Sequence, residues 1–111
     1  MELRVADNPD KSRYEIEVDG EIAGFVDYRL GAHDGHSGHD DQDDIAFLHT
    51  ETDERFRGKG IASHLIQATL DSARERKLAV LPFCPFVRAW IGEHRDYVDL
   101  VPADRHPDFG L

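Results

Sequence analysis

Residues 45–81 leave this chain the fewest choices of fold. Residues 45–50 (IAFLHT) are apolar on both faces of an extended segment, which suits a central strand. Arg57-Gly58-Lys59-Gly60 then interrupts the pattern. After the break, Ile61, Leu65, Ala68 and Ser72 recur on one helical stripe, with Ala62, Ile66, Leu70 and Ala73 beside it. That spacing predicts an amphipathic helix of about four turns. Arg74, Arg76 and Lys77 close it and suit the negative pole of a helix. Residues 78–81 (LAVL) are a second, shorter apolar run. Two strands joined by a helix predict a parallel pair with a right-handed crossover.

The flanking segments extend this unit. Tyr14, Ile16 and Val18 alternate with Glu15 and Glu17, the pattern of a half-buried strand. Asp19-Gly20 follows as a hairpin signal, because glycine accepts the positive φ of such turns. The return strand is expected to place Ile22, Gly24, Val26, Tyr28 and Leu30 on one face. Residues 3–6 add a short first strand before Asn8-Pro9-Asp10. Residues 31–44 (GAHDGHSGHDDQDD) hold a single apolar side chain and read as a flexible acidic loop. Pro82 and Pro85 bracket Phe83-Cys84, and residues 86–94 predict a short helix with Phe86, Val87, Trp90 and Ile91 inward. Tyr97, Val98, Leu100 and Val101 precede a polar end. The expected fold class is α/β (α+β), with antiparallel hairpin strands, a strand–glycine loop–helix–strand centre and a short C-terminal helix. At 111 residues this is one domain.

Charge sorts the partner classes. A formal net charge of −10 argues against a nucleic-acid partner. No apolar run is long enough for a membrane-spanning helix. The start, Met1-Glu2-Leu3-Arg4, lacks a signal-peptide pattern, so a cytoplasmic location is expected. One cysteine makes no internal disulfide and no tetrahedral cysteine zinc site. The acid is local: residues 31–54 carry all-acidic charge, with no Lys or Arg. Residues 55–77 reverse the sign, with Arg55, Arg57, Lys59, Arg74, Arg76 and Lys77 against Asp71 and Glu75.

A cationic glycine turn opening a helix is chemically a phosphate seat. Glycines let backbone N–H groups approach closely, and the first turn of a helix adds unpaired N–H groups and partial positive charge. The same residues also describe a plain tight turn with exposed bases. A Walker loop fails, since Lys59 sits between the glycines rather than after the last one. A dinucleotide fingerprint fails, since Ser63 stands at its third glycine.

Arg57-Gly58-Lys59-Gly60-Ile61-Ala62 resembles the acetyl-CoA pyrophosphate loop of the GNAT N-acetyltransferase superfamily. With His49-Thr50, Leu65, Ala73, Pro82-x-Cys84-Pro85 and His94-x-x-Tyr97-x-x-Leu100, the chain resembles its small stand-alone YjdJ-like branch over residues 45–101. The resemblance implies that backbone N–H groups from Arg57, Gly58, Lys59, Gly60, Ile61 and Ala62 hold the CoA pyrophosphate. It implies that Ser63 adds a hydroxyl donor and that Arg55, Arg57 and Lys59 offset the cofactor's charge. His49-Thr50 would run beside the pantetheine arm, and the thioester would end where this strand and residues 78–81 splay apart. A backbone N–H would activate the acetyl carbonyl there for attack by an amine.

Two side chains are candidate catalysts. Cys84 precedes a helix that Pro85 would open, where the dipole favours a thiolate able to accept acetyl covalently. The alternative is a small buried residue at a strand–helix corner. His49 lies on the strand beside the cofactor and can serve as base for an ammonium acceptor, or simply bond a neighbouring backbone group. Asp44 reads as a solvated charge, His64 and His94 as structural residues, and Trp90, Phe86 and Tyr97 as core. His33, His36 and His39, with Asp34 and Asp40, have metal-ligand chemistry, but their repeat equally suits low complexity, and no metal is expected.

The expectation is therefore an acetyl-CoA-dependent N-acetyltransferase-like protein, monomer or homodimer, acting on an amine of a small molecule or a protein. The alternatives are a non-catalytic CoA-binding module and a metal-binding protein using the His/Asp loop.

Overall fold

The alternation at residues 14–18 becomes β2 (Arg13–Val18), which returns through Asp19-Gly20 as β3 (Glu21–Gly31). Asp19 and Gly20 both take positive φ, +50° and +89°, the twist that a two-residue hairpin turn requires. β1 (Leu3–Asn8) pairs antiparallel with β2, from Leu3↔Val18 to Asn8↔Arg13. The structure, a computed structural model, describes residues 2–31, 43–58 and 60–111.

β4 (Asp44–Thr52) pairs antiparallel with β3 and parallel with β5 (Ala79–Pro82). The result is a five-stranded mixed sheet in the order β1-β2-β3-β4-β5. The connection from β4 to β5 is α1 (Ile61–Glu75), as the periodicity predicts. α2 (Pro85–Glu93) follows β5, with Pro at its first position. Two 3-10 segments, Arg95–Leu100 and Ala103–Phe109, complete the chain.

One apolar cluster joins the inward residues of the sheet, Tyr14, Ile16, Val26, Ile45 and Phe47 among them, to both helices. α1 contributes Ile61, Leu65, Ile66, Thr69, Leu70 and Ala73. α2 contributes Val87, Trp90 and Ile91.

Several boundaries and faces differ from the sequence expectation. Ile22 and Leu30 are exposed rather than inward. Ile16 faces Gly24 while Glu17 faces Ile22, so Ala23 is an extra residue of a bulge and reverses the parity of β3 before it. Ala23 takes the core place, at 1% exposure. Leu30 pairs with Ile45 at the end of the β3–β4 ladder, and nothing among the described residues covers it. Gly31 and Asp44 are a strand pair rather than loop. Phe86 is exposed, because Val87, Trp90 and Ile91 already fill the inner face of a short helix. The polar end carries a buried anchor, Phe109, edge-on to Phe83 at 5.4 Å.

Candidate acetyl-transfer cleft

The parallel ladder between β4 and β5 is short. It runs from Asp44↔Ala79 to Phe47↔Pro82. One more bond continues it: the Cys84 N–H donates to the Phe47 carbonyl at 2.8 Å. There the chain after β5 turns into α2, while β4 goes on to Thr52. The two strands therefore part, and the second half of β4 borders an opening instead of a neighbour strand.

Cys84 and Thr50 meet across that opening. Thr50 Oγ1 and Cys84 Sγ lie 3.3 Å apart, within hydrogen-bond reach for sulfur. Cys84 is the residue immediately before α2 and is buried, at 3% exposure. Thr50 reaches it because it pairs with Val26 and so shares the helix-covered face. A bulge sets this parity. Tyr28 faces Phe47 and Asp27 faces His49, which leaves Leu48 as an extra residue. A bulge residue is left out of the regular pairing of the ladder.

His49, adjacent to Thr50, points to the other face of the sheet. Its Nε2 lies 3.4 Å from Glu51 Oε2, and its ring is 6.4 Å from that of Phe25. Asp27 and Phe25 are the cross-strand partners of His49 and Glu51. The Arg13 guanidinium lies over the Phe25 ring, 4.4 Å from its centroid, and bonds Glu15 at 2.7 Å. A shallow groove of about 270 Å³ runs along this side, lined in part by Arg13, Ile22, Phe25, Glu51, Thr52 and Asp53. The structure thus brings Cys84 and Thr50 together and puts His49 across the sheet from them.

Past β4, Asp53 caps a short turn by accepting the Arg55 N–H at 2.9 Å. The Arg55 side chain returns to the Asp53 carboxylate at 3.0 Å and reaches Glu21 at 3.2 Å. Bonding to Arg55 holds the Asp53 carboxyl below its ordinary range. The Arg55 charge is therefore shared with two carboxylates of the chain itself, and it is a weaker counter-charge than the sequence suggests. Arg57 lies 3.5 Å from Glu54, but both side chains are highly exposed, and such pairs exchange readily with other partners. Lys59 lies outside the described residues, as do His33, His36, His39, Asp34 and Asp40. Among the described residues no group of three or more His, Cys, Asp or Glu side chains is placed to hold a metal.

Gly58 and Gly60 have φ of +81° and +72°, where a side chain is strained. A Cβ at either position would meet nothing within 4 Å, so the outer side of the turn is open. Gly60 is the N-cap of α1 and offers no side-chain cap, and the first turn holds no acid. The N–H groups at Ile61, Ala62 and Ser63 therefore face an uncapped, electropositive helix end. Ser63 is exposed there, and its Oγ accepts the Trp90 indole N–H at 2.9 Å. The residues present fit a phosphate-bearing ligand.

The fold recurs in solved acetyltransferases. A ribosomal-protein-alanine N-acetyltransferase from Brucella melitensis biovar Abortus 2308 is 28% identical, with a TM-score of 0.54 over 63% of this chain and 45% of that one. An aminoglycoside acetyltransferase from an uncultured soil metagenomic sample shares the fold at 15% identity and TM-score 0.54, over 65% and 44% of the two chains. An acetyltransferase from Vibrio fischeri does so at 14% identity and TM-score 0.54, over 65% and 59%. The matched part is about half the length of these proteins. No curated protein sequence matches the chain. The profile of the GCN5-related N-acetyl-transferases matches residues 13–100, and the chain belongs to that family.

Strand alternation alone separates His49 from Thr50, so their opposite faces were within reach of the sequence. The Thr50–Cys84 contact was not, because it depends on the Leu48 bulge and on where the β4–β5 ladder ends. The pairing of His49 with Glu51 follows from i, i+2 spacing on one strand face.

Proposed function

We propose that this chain binds acetyl-CoA in the opening between β4 and α2 and transfers the acetyl group to an amine. The observation that carries this reading is the parting of β4 and β5 at Phe47 and Cys84, on the same side as the uncapped N-terminus of α1. Backbone N–H groups of residues 57–62 and the Ser63 hydroxyl take the pyrophosphate. Arg57 and Lys59 supply positive charge, and Arg55 a smaller share. Residues 49–50 of β4 flank the pantetheine arm. A backbone N–H of β4 beside the Leu48 bulge supplies the donor for the acetyl carbonyl oxygen.

Cys84 is the proposed acetyl acceptor. Its sulfur attacks the thioester carbonyl carbon, the C–S bond to CoA breaks, and the departing sulfur takes the proton that Cys84 gives up. Thr50 holds the Cys84 side chain in place through the 3.3 Å contact. The amine enters from the opposite sheet face, attacks the acetyl-Cys84 carbonyl and releases the Cys84 thiolate. His49, with Glu51 behind it, deprotonates the incoming ammonium on that face, and the departing Cys84 thiolate takes the proton that the amide-forming nitrogen gives up.

Titration with acetyl-CoA tests the cradle. Gly60→Glu puts a carboxylate into the open space before α1, and Arg57→Glu reverses a mobile charge. Both should weaken binding at least about ten-fold, the range of charge-assisted hydrogen bonds. Unaltered affinity in both variants would sink the assignment. Cys84→Ala should abolish turnover and the acetylated thiol seen by intact-mass measurement. A full rate in Cys84→Ala would leave direct attack by the amine as the mechanism. Tight binding with no turnover across a panel of amines would favour a CoA-binding module.

A further inference from the structure

Trp90 sits on the inner side of α2, and its indole N–H donates to Ser63 Oγ at 2.9 Å. Ser63 is the third residue of α1, in the turn whose N–H groups lack partners within the helix. An indole nitrogen is a donor only. The bond therefore uses a lone pair of the Ser63 oxygen and leaves the hydroxyl proton to be given to something else. Among the described residues no acceptor takes that proton, and Ser63 is exposed.

Two rings pack against the indole. His94 stacks on it, with centroids 3.8 Å apart and planes 11° apart. His94 Nδ1 is 2.8 Å from the Trp90 carbonyl, which fixes the imidazole to the same turn. Tyr97 approaches edge-on at 5.0 Å. The Tyr97 hydroxyl donates to Asp71 on α1 at 2.8 Å. The N–H direction is thus set by packing across two helices and the segment that follows them.

We infer that Trp90 is a positioning residue for the phosphate seat: it fixes Ser63 so that the Ser63 O–H donates to the pyrophosphate of bound acetyl-CoA. The inference rests on the cofactor reading above. Trp90 N–H, Ser63 O–H and phosphate form a chain in which each bond polarises the next. Trp90 itself touches no ligand.

Acetyl-CoA is titrated by calorimetry into the full chain and into Ser63→Ala, Trp90→Phe and the double variant, with Gly60→Glu as the control on the cradle. Trp90→Phe keeps an aromatic ring against His94 and Tyr97 and removes the N–H. Ser63→Ala should weaken binding about ten-fold, as for a lost hydrogen bond to a charged group. Trp90→Phe should weaken it about three-fold or more by the same scale. The double variant should bind no more weakly than Ser63→Ala, because Trp90 acts only through Ser63.

Trp90 is the single tryptophan of the chain, so its emission is a second readout. Saturating acetyl-CoA should change that emission in the wild type and change it much less in Ser63→Ala. Equal affinities of wild type and Trp90→Phe, or losses that add in the double variant, overturn the inference. Where Trp90→Phe does not fold, Ser63→Ala decides: unchanged affinity or an unchanged emission response overturns it. Failure of the cofactor reading looks different. The wild type then binds no acetyl-CoA, or Gly60→Glu binds it equally well, and the role of Trp90 falls with it.

Discussion

Cys84 and Thr69 show what single residues disclose and what they conceal. The place of Cys84 was legible, because an apolar run followed by Cys-Pro marks a strand end and a helix start. Its contact with Thr50 was not, since no local pattern encodes a bulge two residues away on another strand. Thr69 was concealed altogether. The periodicity centres the buried stripes on leucine, isoleucine and alanine, yet Thr69 is 1% exposed. Its hydroxyl has no hydrogen-bond partner among the described residues. An unmatched buried hydroxyl costs about 1–3 kcal/mol. Valine has nearly the same shape and no polar group to bury. Thr69→Val should therefore raise unfolding stability by about 1 kcal/mol in urea titration, with the slope unchanged. A loss of stability would mean that the hydroxyl is satisfied after all.

At the scale of elements, the strand–helix–strand unit was legible because helix and strand periods differ, and both runs are long enough to show theirs. The ends of α1 were only half legible. The basic residues at its C-terminus suit the helix dipole, but the structure uses them as ties. Arg74 forks onto the Asp99 carboxylate at 2.8 and 3.0 Å, linking α1 to the Arg95–Leu100 segment. Arg76 donates to the Tyr14 hydroxyl at 2.9 Å, linking α1 to β2. Tyr14 also meets Ser72 at 2.8 Å, and the Tyr28 hydroxyl donates to Asp7 at 2.6 Å. Burial, then the Asp7 carboxylate, pushes the Tyr28 hydroxyl well above its usual pKa, so it stays a donor through the neutral range.

The Arg74–Asp99 tie has a pH signature. The hydrogen bond from Arg74 holds the Asp99 carboxyl below its ordinary value. A depressed folded-state pKa contributes stability that is present above the unfolded-state value and lost as pH falls through the folded-state value. Both side chains are largely exposed, so screening leaves only about a few tenths of a kcal/mol. Asp99→Asn should lower the melting temperature slightly at pH 7. The difference from wild type should shrink to nothing in strong acid. A deficit that persists there would assign Asp99 a role other than its charge.

For the whole molecule, net charge was legible and its placement only partly so. Both helices bury their apolar residues in one cluster on one face of the sheet. The other face presents Arg13, Glu15, Phe25, Asp27, His49 and Glu51 from three adjacent strands. Arg13 is already engaged by Glu15 and Phe25, and Arg29 follows Asp27 on the same strand face, so Asp27 and Glu51 leave a small negative excess near His49. Residues 32–42 add Asp34, Asp40 and Asp41 to the same β3–β4 connection and no Lys or Arg. Field lines from such a patch favour the approach of a cationic amine over a neutral one, and salt weakens the effect within about a Debye length of 8–10 Å. The ladder on either side is intact to Gly31↔Asp44, so the hairpin can be closed by a short turn in place of residues 32–42. That deletion should leave acetyl-CoA affinity within about two-fold, because the proposed phosphate seat lies at the other end of β4. It should lower kcat/KM for a cationic amine, and raising the salt concentration should shrink the gap to wild type. An equal loss for neutral and cationic amines would make the segment a structural part of the acceptor side. Loss of acetyl-CoA binding would instead connect it to the proposed cofactor cleft.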